Sequence, residues 1–171
     1  MLKLSICFFI IMLCGCVGFL KGEKFSERSK LLSDFIEFIE VLNAELKYSG
    51  EPIPVILKSV GMRKETEAYK LAVTTAEIYK DSNSTISEAY LKTTKIIYDK
   101  LSLNDTDKSI INEVAQYLGR FAIEGQTDLF DLTVKRLNFQ LEESLIEEKT
   151  KGHIFKSIGI FVGVAIVIIL I

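Results

Sequence analysis

Only two residues of this 171-residue chain are proline, and both stand in one short stretch, Pro52-Ile53-Pro54. Proline breaks the interior of helices, so a chain that confines it to one place leaves every other segment free to run helical. The apolar residues bear this out in their spacing. From Ser26 to Lys47, Leu31, Leu32, Phe35, Ile36, Phe38, Ile39, Leu42 and Leu46 fall on one side of a helical wheel, while Asp34, Glu37, Glu40 and Ala44 fall on the other. That is the pattern of a helix packed on a core. Ser49-Gly50 is a stop signal, and the prolines then suit the first turn of a short second helix that runs through Val60.

Gly61 separates the second helix from a third, near Lys64 to Lys80, with Ala68, Leu71, Ala72, Ala76 and Tyr79 on one face. The polar cluster Asp81-Ser82-Asn83-Ser84 is expected to cap a fourth helix, about Thr85 to Lys100. Asn104-Asp105 caps a fifth, with Ile110, Ile111, Val114, Leu118 and Phe121 turned inward. Glu124-Gly125-Gln126 is read as a break before a sixth helix, from about Thr127 to Lys151. No stretch shows the period-two alternation of a strand. The expected fold is all-α, a six-helix bundle over residues 21–153, a size that buries its own core.

Two uncharged apolar segments flank this bundle. Leu4 to Leu20 gives 17 residues without a charge, about 26 Å of helix against a hydrocarbon layer of about 30 Å. Ser157 to Ile171 gives 15, and reaches a comparable length only with Ile154 and Phe155 included and Lys156 extending its ammonium to the headgroups. Transmembrane helices are therefore expected at residues 1–20 and 154–171. Lys21, Lys24, Arg28 and Lys30 follow the first, Lys149, Lys151 and Lys156 precede the second, and only Lys3 lies outside. The positive-inside rule places the central domain in the cytoplasm. The competing reading of the first segment is an export signal with a lipid attached at Cys16 of Leu13-Cys14-Gly15-Cys16, which the thin positive n-region and the basic cluster downstream oppose. Cys14, Gly18 and Gly22, and likewise Gly159 and Gly163, have small residues at i, i+4 spacing. That spacing permits close helix packing in lipid, although glycine is also common in membrane helices.

The chemistry available is sparse. Residues 21–156 carry 20 Lys+Arg against 23 Asp+Glu, a net charge of 20 − 23 = −3. A weakly acidic domain lacks the clustered positive charge that nucleic acid requires. All three cysteines lie in the first apolar segment, and the one histidine, His153, sits among lysines beside the second. There is no P-loop, no Gly-rich phosphate fingerprint and no GxSxG. The glutamates Glu142, Glu143, Glu147 and Glu148 read as a solvated face paired along the helix with residues such as Lys151. No catalytic, cofactor or metal residues are expected, and the chain is read as not an enzyme.

Two surfaces remain as candidates for partners. On the sixth helix Phe130, Val134, Leu137, Leu141 and Leu145 form one apolar stripe; Leu132, Phe139 and Ile146 form another, seven residues apart and nearly opposite. The second is either covered by a neighbouring helix or docks a partner or second copy, giving a homo-oligomer. Glu45, Tyr48, Gly50 and Pro52 at the end of the first helix either set the angle to the second helix or meet a cytoplasmic partner.

The order of features resembles a known family. An apolar segment and Glu27-Arg28 lead to Leu42-Asn-Ala-Glu45-Leu-Lys-Tyr48 and the turn Gly50-Glu-Pro52-Ile-Pro. Ser87-Glu88-Ala89-Tyr90, Leu118-Gly119 and Gln126 follow, and a long helix reaches Gly159-Ile-Phe-Val-Gly163. The whole chain is similar to the stage III sporulation protein AB family of endospore-forming bacteria. It departs from that pattern at Tyr90, where Trp is frequent, and at Arg120-Phe121-Ala122, where Ser-Asp-type residues are usual. Leu42 to Val60 is also similar to the cytoplasmic six-helix domain of type II secretion F proteins. The resemblance implies a non-catalytic membrane platform in a secretion-like channel between mother cell and forespore. Its partners would be a cytoplasmic secretion-type ATPase and the other membrane subunits of that channel. A general membrane-anchored adaptor or dimerising sensor is the other reading.

Overall fold

The computed structural model describes residues 2–118, 123–152, 154, 161–162 and 166–168; within these, side chains are described at 12–13, 16, 20, 23–118, 129–150, 154, 161–162 and 166–168. The described residues are helical with no strand. The elements are α1 (Leu2–Tyr48), α2 (Ile53–Gly61), α3 (Glu67–Asp81), α4 (Ile86–Tyr98), α5 (Asp105–Leu118) and α6 (Ile123–Glu147), with a π-helical turn over Glu148–Gly152 after α6. Two compact units result: one is residues 30–141, the other combines residues 1–29 with 142–171.

The apolar face read for the first helix is the one that is buried. Leu32, Phe35, Phe38, Ile39 and Leu42 are inaccessible to solvent, joined by Leu57 and Val60 of α2, Leu71 of α3, Ile111 and Val114 of α5, and Phe130 and Leu137 of α6. Each such side chain contributes roughly 1.5–3 kcal/mol on leaving water. Phe38 meets Tyr69 edge to face with centroids 5.5 Å apart, and Tyr117 meets Phe130 in the same way at 5.8 Å.

Boundaries differ from expectation in instructive places. The first helix does not begin near Ser26: α1 runs unbroken from Leu2, because nothing between Leu20 and Ser26 except Gly22 opposes a helix. On α3 it is Tyr69 that enters the core, while Tyr79 is exposed. Thr85, not the Asp81–Ser84 cluster, caps α4; its hydroxyl accepts from the Glu88 N–H while the Glu88 carboxylate accepts from the Thr85 N–H. Asn104 and Asp107 do the same for α5, at 2.7 and 3.0 Å. Glu124-Gly125-Gln126 lies inside the first turns of α6 rather than before it. A single glycine costs a helix only about 1 kcal/mol, too little to end one.

Two glycines matter for the fold. Gly50 adopts φ +63° at the end of α1, a conformation that L side chains rarely take. Gly61 ends α2 where a Cβ would stand 2.6 Å from Val73 Cγ2 and 2.8 Å from the Tyr69 carbonyl oxygen, so α2 and α3 approach backbone to backbone. The Met62–Thr66 connection is then tied to α1 by ion pairs of Arg63 with Glu45 and Lys64 with Glu37.

Among the described residues no helix is long and apolar enough to cross a membrane. Most side chains of residues 1–22 and most of 153–171 lie outside the described residues. So do the expected spans, the packing roles of Cys14, Gly18, Gly22, Gly159 and Gly163, and His153. Phe121 also lies outside them.

Candidate functional site

Two surface regions carry the residues singled out from sequence. At the end of α1, the four candidates have unlike surroundings. Glu45 is engaged within the chain by Arg63. Tyr48 is 80% exposed, with the Lys47 ammonium over its ring at 5.6 Å. Gly50 is exposed with open space around its Cα, and Pro52 is an exposed N-cap to α2, its φ of −59° pre-set for the turn. Beyond them the outer face of α2 leaves Val55 and Met62 exposed. Glu45 thus holds the turn in place, whereas Tyr48, Gly50 and Pro52 stand at a free edge.

Further back along α1, charges cluster around Asp34 and Glu37. The Asp34 carboxyl is held above its ordinary range, first by burial and then by the neighbouring Glu37 charge, against the opposing pull of Lys64. The Lys64 ammonium is raised by its hydrogen bond to Glu37, and burial raises the Tyr69 phenol. Deeper in the same unit, burial pushes Tyr90 well above its usual value; its hydroxyl donates to the Ile111 carbonyl at 3.2 Å. Tyr98 is raised for the same reason and reaches Asn112 Oδ1 at 3.0 Å. These are structural phenols, kept neutral and satisfied by backbone or amide oxygen. Among the described residues no group of three or more His, Cys, Asp or Glu could hold a metal ion.

The second region is α6. Phe130 and Leu137 are buried as expected, but the inner face continues through Thr133, Gln140 and Ser144. Leu145, expected on that face, is exposed. The other stripe is open to solvent: Leu132 is 49% exposed, Phe139 67% and Ile146 63%. Among the described residues no neighbouring helix covers it. Arg136 beside it pairs with Glu113 of α5.

One cluster was missed from sequence. Arg28 and Ser29 of α1 are buried, and they meet the glutamates at the end of α6 and the following turn. The Arg28 guanidinium pairs with Glu147 at 2.9 Å and the Ser29 hydroxyl donates to Glu148 at 2.7 Å. Glu147 and Glu148 are therefore half-buried partners of α1 and not members of a solvated face. The available signal was the run Arg28-Ser29 on the line of the apolar face, one turn ahead of Leu32.

The sequence model of the stage III sporulation protein AB family matches residues 3–171. The chain belongs to this family. A solved structure described as "Stage III sporulation protein AB (SpoIIIAB)" is similar with a TM-score of 0.67 at 15% identity, over 72% of this chain and 98% of that one. At that identity the likeness shows the shared helical fold. Comparison with curated proteins gave no match. Membership places this stage III sporulation protein AB relative in a sporulation role. The family is not a known enzyme family.

Proposed function

We propose that this stage III sporulation protein AB relative is a non-catalytic membrane platform of a secretion-like channel that works in endospore formation. The observation that carries the reading is the family match across nearly the whole chain, residues 3–171. Two membrane helices, at residues 1–20 and 154–171, hold the bundle on the cytoplasmic side, in the mother cell. The flanking lysines and arginines support that orientation through the positive-inside rule. The bundle resembles the cytoplasmic domain of type II secretion F proteins and docks a secretion-type ATPase. The exposed edge Tyr48-Ser49-Gly50-Glu51-Pro52 is the surface offered to that motor, since an exposed tyrosine on a fixed turn is a low-entropy contact.

Co-purification of the full chain from sporulating cells tests this. The ATPase is expected in the wild-type eluate, and Tyr48→Glu should deplete it while helical content stays unchanged. Normal sporulation after gene deletion, or an eluate without an ATPase, removes the reading. Protease added outside intact cells should leave the bundle whole; its digestion would remove the cytoplasmic assignment.

A further inference from the structure

Two exposed faces within residues 30–141 carry opposite charge. On α6, Leu132 and Phe139 are exposed, and their seven-residue spacing keeps them close to one line on the helix. From Leu132 to Leu141 this helix bears Lys135 and Arg136 and no acid. On α1 the solvent-facing residues Ser33, Glu40 and Ala44 lie opposite the buried stripe of Leu32, Phe35, Ile39 and Leu42. Between Lys30 and Lys47 that helix bears Asp34, Glu37, Glu40 and Glu45 and no base. Glu37, Glu45 and Arg136 are each paired within the chain. Glu40 and Lys135 join no ion pair among the described residues.

α6 runs alongside α1 in the opposite direction. Asn43 of α1 donates to Asp131 of α6 at 3.3 Å, and the earlier Arg28 meets the later Glu147. Counted from Asn43 and Asp131 at about 1.5 Å per residue, Lys135 stands level with Ile39, next to Glu40. Leu132 stands level with Leu42, close to Ala44, and Phe139 level with Phe35, close to Ser33. These levels decide how two copies can meet. α1 is unbroken from Leu2, so copies anchored through it in one membrane stand at one height with their α1 helices parallel. A face set against its own twin would bring Glu40 to Glu40 or Lys135 to Lys135, which is repulsive. Turned by half a circle about the membrane normal, the second copy instead sets its α6 on α1 of the first. Lys135 then meets Glu40 at the same height, twice by symmetry. The small side chains of Ser33 and Ala44 let the helices come close, with Phe139 and Leu132 filling the space beside them.

We infer that the outer faces of α1 and α6 together bind a second copy of this chain. α6 of each copy lies antiparallel on α1 of the other, and the two-fold axis runs along the membrane normal. The pairing rests on the platform reading only for the membrane anchor that sets the heights. It needs no ATPase: an eluate without one leaves the pairing standing, and loss of the pairing leaves motor docking untouched.

The test is cysteine crosslinking of full-length chains in membranes, with Cys7→Ser, Cys14→Ser and Cys16→Ser removing the native thiols. Two differently tagged forms are co-expressed, one carrying Ala44→Cys and the other Leu132→Cys. A dimer joining position 44 of one form to position 132 of the other is expected, and neither form alone should crosslink. A 132–132 or 44–44 product, no mixed dimer, or crosslinking of either form only to a different protein overturns the inference. In detergent, Phe139→Ser should weaken association about a hundredfold. Glu40→Lys and Lys135→Glu should each weaken it roughly tenfold, and both in one chain should restore it. Glu40 and Lys135 are exposed, so this exchange reads association with helical content unchanged. Persistence of the dimer in the Phe139 variant, or failure of the exchange to restore it, overturns the inference. A full-length chain absent from the membrane fraction overturns the anchor and the pairing together.

Discussion

The described residues of the two compact units show different interactions. Residues 30–141 enclose an apolar core of Leu, Ile, Val, Phe and Tyr drawn from every helix of that unit. In the unit formed by residues 1–29 with 142–171, polar contacts join α1 to the chain after Leu141: Arg28 to Glu147 and Ser29 to Glu148, with Ser144 buried and its hydroxyl unpaired. Apolar burial is large but indifferent to direction, so it stabilises without fixing a register. A guanidinium–carboxylate pair is worth less, yet it tolerates only one alignment of its partners. The comparison implies that the core unit supplies stability while the polar contacts choose which turn of α6 meets which turn of α1.

The widest test of that division is thermal or urea unfolding of paired variants. Phe38→Ala opens a cavity at an inaccessible site and should cost about 3–5 kcal/mol, read as a large fall in denaturation midpoint. Gly61→Ala should cost somewhat less, about 2–3 kcal/mol, because the new methyl meets Tyr69 backbone and Val73 rather than a movable side chain end. Arg28→Ala should cost about 1–3 kcal/mol, since it strands Glu147 half-buried. Arg28→Met, which fills the volume without the charge, should be milder only if a companion Glu147→Gln removes the stranded carboxylate. If Arg28→Ala proved as damaging as Phe38→Ala, the proposed division of labour would fail.

The smallest effects are those of pH. Burial raises the folded-state pKa of Tyr90 and Tyr98 above the unfolded value near 10. The unfolded chain therefore loses these protons first, and stability present below that pH declines as pH rises past it. Replacing Tyr98 with Phe should flatten the alkaline slope of the unfolding midpoint. Asp34 works in the same direction at lower pH: its raised carboxyl favours the protonated folded form, and stability falls as pH rises through the carboxylate range. Asp34→Asn should abolish that slope and leave the fold otherwise unchanged.

How far the sequence reveals these features depends on how local each one is. The apolar stripe of α1 and Asn104 as the cap of α5 were legible because each lies within a few residues, although the reciprocal partner of Asn104 is Asp107 and not the adjacent Asp105. The turn at Gly50 and Pro52, between the end of α1 and the start of α2, was legible for the same reason. Arg28 with Glu147 was not: its partners are 119 residues apart, and each glutamate has a nearby lysine that offers a simpler local pairing. Tyr69 and Tyr79 are ten residues apart, about 80° around α3; by angle Tyr79 lies nearer the line of Ala68, Ala72 and Ala76, and only packing makes Tyr69 the buried ring. The exposure of Phe139 depends equally on where neighbouring helices end.

Gly50 and Gly61 carry the same letter in the sequence but differ in which replacements they would survive. At position 50 the restriction is an angle, with open space around it, so asparagine or aspartate, which tolerate the left-handed conformation, would be partial substitutes. At position 61 the restriction is volume, and every other amino acid brings the same forbidden atom. A saturation library selected for folded protein should therefore return a small alphabet at the first position and a single letter at the second. The second is the more dependable mark by which distant sequences with this α2–α3 contact could be recognised.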